Sequence, residues 1–116
     1  MPTMVSSGRE LICISQKDAH HLDYSTNDGR TWTPRYANSS YGPFLDLLYY
    51  GQELLAITSK GLYYSTNDGR TWTPRFTGTT YGDFLTLVNG GKELLAQTSK
   101  GLYYSTNEGR TWIKRP

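Results

Sequence analysis

Three octapeptides concentrate the oxygen-bearing side chains of this chain: Ser25-Thr-Asn-Asp-Gly-Arg-Thr-Trp32, Ser65-Thr-Asn-Asp-Gly-Arg-Thr-Trp72 and Ser105-Thr-Asn-Glu-Gly-Arg-Thr-Trp112. Each gathers hydroxyls, a carboxamide and a carboxylate, the donor types that hard cations take. The ordered acidic ligands and terminal Glu of a helix-flanked calcium loop are absent, so no metal is expected there. Asp18, Asp23, Asp46 and Asp83 are acids outside the repeated positions. Asp46 and Asp83 are the one candidate pair for glycoside hydrolysis, which uses two carboxylates at a defined separation. His20 and His21 are the two histidines. Adjacent residues of an extended segment point to opposite sides, which suits a metal poorly and suits a solvated insertion well. Cys13 is the single cysteine, so an intrachain disulfide is excluded. No catalytic residue and no cofactor follow from these residues.

Charge adds little. The 116 residues carry a net charge of +2, and the twelve Lys and Arg are spread along the chain. Nucleic-acid binders cluster such residues, so no nucleic-acid partner is expected. No apolar run approaches the roughly 18 residues of a membrane span. The N-terminus lacks the basic-then-apolar layout of a signal peptide, and the compartment stays open.

The elements that must position the octapeptides come from a repeat. Each octapeptide begins 40 residues after the last, and 25 of the 36 pairs aligning Tyr41–Phe76 with Tyr81–Pro116 are identical. Such similarity implies recent amplification or deliberate construction. The first copy is more divergent, with a three-residue insertion near Asp18 to His20. Its Cys13 aligns with Ala56 and Ala96, as a small core residue. Within the second copy, Phe44 to Tyr50, Glu53 to Ser59, Leu62 to Thr66 and Trp72 to Phe76 read as strands separated by turn residues. Pro34 and Pro74 fall in the fourth strand, which marks it as an edge. Arg35, Arg75 and Arg115 there read as charges that discourage edge-to-edge pairing. Four antiparallel strands every 40 residues describe a propeller blade. The fold class is all-β, one repeat domain over 1–116, with blades over about 1–38, 41–78 and 81–116.

The octapeptides resemble the Asp-box, or BNR repeat, of sialidases and other propellers, Ser-X-Asp-X-Gly-X-Thr-Trp. The match holds at Ser25, Thr31 and Trp32, at Ser65, Thr71 and Trp72, and at Ser105, Thr111 and Trp112. Asn27, Asn67 and Asn107 stand in place of the Asp. Asp28, Asp68 and Glu108 precede the matching Gly29, Gly69 and Gly109. The resemblance implies a structural box between a blade's third and fourth strands. An Asx side chain locks such a turn through backbone amides, glycine supplies a positive φ, and the tryptophan packs against the sheet. The resemblance also names what a sialidase adds: three arginines that clamp a carboxylate, a Tyr–Glu nucleophile pair and an acid/base Asp. Here the arginines other than Arg9 repeat with the boxes and edges. Glu10, Glu53 and Glu93 share one turn position, and Glu108 replaces a box Asp. A hydrolase is therefore not expected.

Three blades are fewer than the four to eight of a closed propeller. If each end face hides roughly 500 Å² of apolar surface, its burial is worth on the order of 12 kcal/mol gross. The chain is therefore expected to complete a ring with copies of itself. A homodimer of six blades is favoured over a homotrimer of nine, and a fragment of a longer protein is the alternative. The candidate ligand face lies on the loops carrying Tyr41 and Lys60, and Tyr81 and Lys100, where tyrosine, small hydroxyls and lysine suit a glycan or a protein. A propeller fragment amplified or designed with no selected ligand remains the alternative to a binding module.

Overall fold

The computed structural model describes residues 4–15, 17–37, 41–78 and 80–115. They form twelve strands in three antiparallel sheets of four, each in sequential order. Blade 1 holds β1 (Met4–Ser6), β2 (Leu11–Ile14), β3 (His21–Ser25) and β4 (Thr33–Ala37). Blade 2 holds β5 (Phe44–Tyr50), β6 (Glu53–Thr58), β7 (Gly61–Ser65) and β8 (Thr73–Phe76). Blade 3 holds β9 (Phe84–Asn89), β10 (Leu94–Thr98), β11 (Gly101–Ser105) and β12 (Ile113–Lys114). The proline-bearing β4 and β8 are edge strands, as a residue without an N–H requires. The innermost strands β1, β5 and β9 lie beside one another, so the blades fan out from a common side. The sheets do not close on each other, and the chain is an arc of 42 × 27 × 24 Å.

Side-chain alternation gives each blade two apolar faces. The front face of blade 2 carries Phe44, Leu47, Leu54, Ala56, Tyr63 and Trp72, packed on Ile12, Ile14 and Leu22 from the back face of blade 1. The back face of blade 2 carries Leu55, Ile57 and Leu62, packed on Phe84, Leu87, Leu94, Ala96, Tyr103 and Trp112 of blade 3. The hydrophobic core is thus not inside a blade but in two seams between blades. Leu54, Leu55, Ala56 and Ile57 are all fully buried because β6 has a neighbour on both sides.

Arginines fasten both seams. Arg35 and Arg75 do not stand in solvent as edge charges. Their side chains are 3 % exposed and cross to the next blade. Arg35 Nη1 donates to the Asp68 carbonyl at 2.7 Å, and Arg75 Nη1 to the Glu108 carbonyl at 2.8 Å. In its own blade each guanidinium pairs with a glutamate, Glu10 at 2.6 Å or Glu53 at 2.7 and 2.8 Å. Each also lies over a tyrosine ring, Tyr24 or Tyr64, at 4.1 and 4.0 Å. The glutamate position that repeats in sequence exists to hold this arginine.

The Arg75 hydrogen bonds hold the Glu53 carboxyl below its ordinary range. A carboxyl so lowered adds stability that is present above its unfolded value and lost as pH falls through its folded one. Glu53→Gln should cost about 2 kcal/mol in urea unfolding at neutral pH, the scale of a charge-assisted hydrogen bond. The difference from the unmodified chain should shrink as the solution is acidified through that range. A cost independent of pH would contradict this account of the pair.

Candidate functional site

The three octapeptides form three superposable turns between the third and fourth strands of their blades. Each serine hydroxyl is buried and accepts the glycine amide at 2.9 Å, in Ser25–Gly29, Ser65–Gly69 and Ser105–Gly109. It donates in turn to the asparagine Oδ1, at 2.8 Å for Asn27, 2.7 Å for Asn67 and 2.8 Å for Asn107. The same Oδ1 accepts the amide of Thr31, Thr71 or Thr111. The carboxamide Nδ2 donates to that threonine's hydroxyl at 2.8–2.9 Å. Arg30, Arg70 and Arg110 each donate to the asparagine carbonyl at 3.0 Å.

The oxygens that suggested cation chemistry are therefore engaged by donors of their own turn. The acids do not join them: Asp28 is exposed, Asp68 Oδ1 accepts the Tyr49 hydroxyl at 2.6 Å, and Glu108 pairs with Arg110 at 3.1 Å. Those three acids also sit at positive φ, near 60°, just before the glycine. The turn thus has two consecutive left-handed residues where the sequence pattern pointed only to the glycine. The glycine has a second reason. A Cβ on Gly109 would meet Leu62 of the preceding blade at 2.8 Å, and one on Gly69 would meet Leu22 at 3.7 Å. Trp72 and Trp112 are buried beside these glycines.

The two acids of the candidate glycosidase pair sit in different surroundings. Asp46 Oδ1 accepts the Leu47 amide at 3.0 Å, and Oδ2 accepts the Leu87 amide of the next blade at 2.7 Å. It ties β5 to β9. Asp83 is exposed, and its backbone is bonded to Ser99. His20 and His21 do not diverge, because Ala19 and His20 form a turn from which His21 opens β3. His20 Nδ1 lies 2.8 Å and His21 Nε2 3.6 Å from the Asp18 carboxylate. The His20 backbone and ring hydrogen bonds hold Asp18 below its ordinary range. Cys13 is buried, which raises its thiol pKa, and Asp23 raises it further.

On the candidate ligand face, Tyr41 and Tyr81 are half-buried. Tyr41 stacks on Tyr36 with centroids 6.0 Å apart, tilts against Tyr63 at 4.6 Å, and donates its hydroxyl to the Trp72 carbonyl. Tyr81 stacks on Phe76 and tilts against Tyr103, both at 5.1 Å. Burial, with Tyr41 beside it, pushes the Tyr36 phenol up to about 12. Lys60 and Lys100 are exposed. Residues 38–40 and 79 of the same loops lie outside the described residues.

A groove of about 250 Å³ opens on this face between blades 2 and 3. One wall is the β6–β7 turn, Ser59, Lys60 and Gly61; the other is the β8–β9 loop, with Gly78 and Asp83. Leu45 and Leu85 line it, each 45 % exposed. Both occupy irregular positions of the innermost strands, where register shifts turn them out of the ladder. A regular alternation of apolar residues does not reveal such a shift. The corresponding seam between blades 1 and 2 is different. There the insertion reaches across, and the Ala19 carbonyl accepts the Phe44 amide at 2.7 Å.

The BNR/Asp-box repeat family matches residues 63–74. A search of curated proteins finds no match. Among solved structures, YCF48 bound to D1 peptide is similar at a TM-score of 0.73 and 19% identity over 95% of this chain. YCF48 from Cyanidioschyzon merolae is similar at 0.67 and 19% over 95%. A GH74 enzyme of Niastella koreensis is similar at 0.62 and 18% over 99%. The chain spans 38%, 39% and 18% of those three structures. The fold is that of Asp-box propeller blades, three of them in an open arc.

Ser65→Ala should destabilise by about 1–3 kcal/mol in thermal or urea unfolding, because it strands the buried Gly69 amide. Asn67→Asp should change stability by less than about 0.5 kcal/mol, since the Thr71 hydroxyl can turn from acceptor to donor. Equal losses in the two variants would mean that the carboxamide holds the turn by another route.

Proposed function

We propose that this set of Asp-box blades is a non-catalytic binding module that takes a peptide or protein segment along its loop face. The observation that carries the reading is the groove between blades 2 and 3, with Leu45 and Leu85 turned out of their strands and Lys60 and Asp83 on its rims. Two exposed leucines flanked by one cation and one anion suit an extended segment with apolar and charged side chains. A glycan site wants an open aromatic face, and the rings of Tyr41 and Tyr81 are stacked on neighbouring rings. Absence of turnover is supported by Asp46, whose two oxygens accept backbone amides. The similar YCF48 structure bound to a D1 peptide fits a role of this class.

The test is parallel binding of the whole chain to an array of extended peptides and to an array of glycans. Specific peptide signals are expected. For the tightest peptide, Leu45→Ser together with Leu85→Ser should weaken binding by at least about tenfold, as losing two apolar contacts implies. Both leucines are about half-exposed and stand outside the strand ladder, so the variant should stay folded with its β-sheet circular dichroism retained. Specific glycan signals without peptide signals, or peptide binding indifferent to both leucines, would overturn the reading.

A further inference from the structure

The two seams inside the chain show what each blade face accepts, and the chain leaves one face of each kind unmatched. The free front face of blade 1 carries Met4, Leu11, Cys13 and Trp32 around a trough of about 850 Å³. The free back face of blade 3 carries Val88, Leu95 and Leu102. Their counterparts in the two seams are buried or packed. Trp32 is 37 % exposed, while Trp72 and Trp112 are 6 % and 4 %. Leu102 is 36 % exposed, while Leu22 and Leu62 are fully buried. Met4 is half-exposed, while Leu47 and Leu87 are buried.

The polar fastenings break off at the same place. Arg115 pairs with Glu93 at 2.7 Å and covers the Tyr104 ring at 4.1 Å, as Arg35 and Arg75 do with their partners. Those two also reach a box carbonyl on the next blade and are 3 % exposed; Arg115 is 39 % exposed. The two free faces further differ from the seams at one matched pair of positions. Asp23 stands where the front faces of blades 2 and 3 have Tyr63 and Tyr103. Gln97 stands where the back faces of blades 1 and 2 have Ile14 and Ile57. The free front face thus carries a carboxylate acceptor, and the free back face a carboxamide donor.

We propose that the back face of blade 3 docks on the front face of blade 1 of a second copy, so that two chains close a ring of six blades. Leu102 then lies over the second copy's Gly29 beside Trp32, as Leu62 lies over Gly109 beside Trp112. Arg115 donates to the second copy's Asp28 carbonyl, as Arg75 donates to that of Glu108. The contact is head-to-tail, so each copy gives one face and receives one. This holds whatever segment the loop groove takes.

Light scattering after size exclusion of the whole chain tests it, with two variants at exposed side chains. The unmodified chain should weigh about 26 kDa, twice 13.1 kDa. Leu102→Lys blocks only the back face and Met4→Lys only the front face. Each alone should run at the mass of one chain with its β-sheet circular dichroism retained. Mixed in equal amounts they should recover a two-chain species, because one intact seam remains available between them. An unmodified chain at the mass of one chain or of three would overturn the two-copy ring. Variants that keep the unmodified mass, or that stay single when mixed, would overturn the head-to-tail contact.

Discussion

A four-stranded sheet with apolar side chains on both faces cannot bury either face against itself. That constraint governs this chain. The buried side chains of blade 2 divide between two seams, with Leu54 and Ala56 facing one neighbour and Leu55 and Ile57 the other. The blade is a unit of chain, and the seam is the unit of stability. Each seam repeats one set of parts: a leucine over a box glycine, a tryptophan beside it, and an arginine that is held by its own glutamate and tyrosine while it reaches the next blade's turn.

The box serves the seam. Its serine, asparagine and threonine satisfy each other and the turn amides, which fixes two left-handed residues in succession. The turn then presents a bare glycine for the preceding blade's leucine and a carbonyl for its arginine. A cluster of oxygens that looks like chemistry in the sequence is the socket of an interface. Asp46 follows the same logic at the inner end of the blade, where its carboxylate accepts an amide from each of two innermost strands.

Much of this was legible in the sequence, because strand alternation, turn residues and a 40-residue period are local signals. The proline in the fourth strand marked the edge, and the Asx–Gly pairs marked the turns. The partners of long side chains were not legible. Arg35 and Arg75 read as edge charges because nothing local says that a guanidinium crosses to a carbonyl 33 residues away. The histidine pair was read as a solvated insertion with rings pointing apart, whereas both rings gather on Asp18 and the Ala19 carbonyl of the turn reaches blade 2. The same insertion makes the first seam unlike the second on the loop face. Phe44 to Tyr50 was read as one regular strand, and a register shift turns Leu45 out of it, as the equivalent shift does for Leu85.

The central claim is that the face of blade 1 is as covered in solution as the faces of blades 2 and 3. Amide hydrogen exchange at the three box glycines reads this most directly, because the internal standards lie in the same molecule. The account predicts that Gly29 is protected to the level of Gly69 and Gly109 in the unmodified chain. Gly29 exchanging orders of magnitude faster than the other two, under conditions where both remain protected, would contradict it.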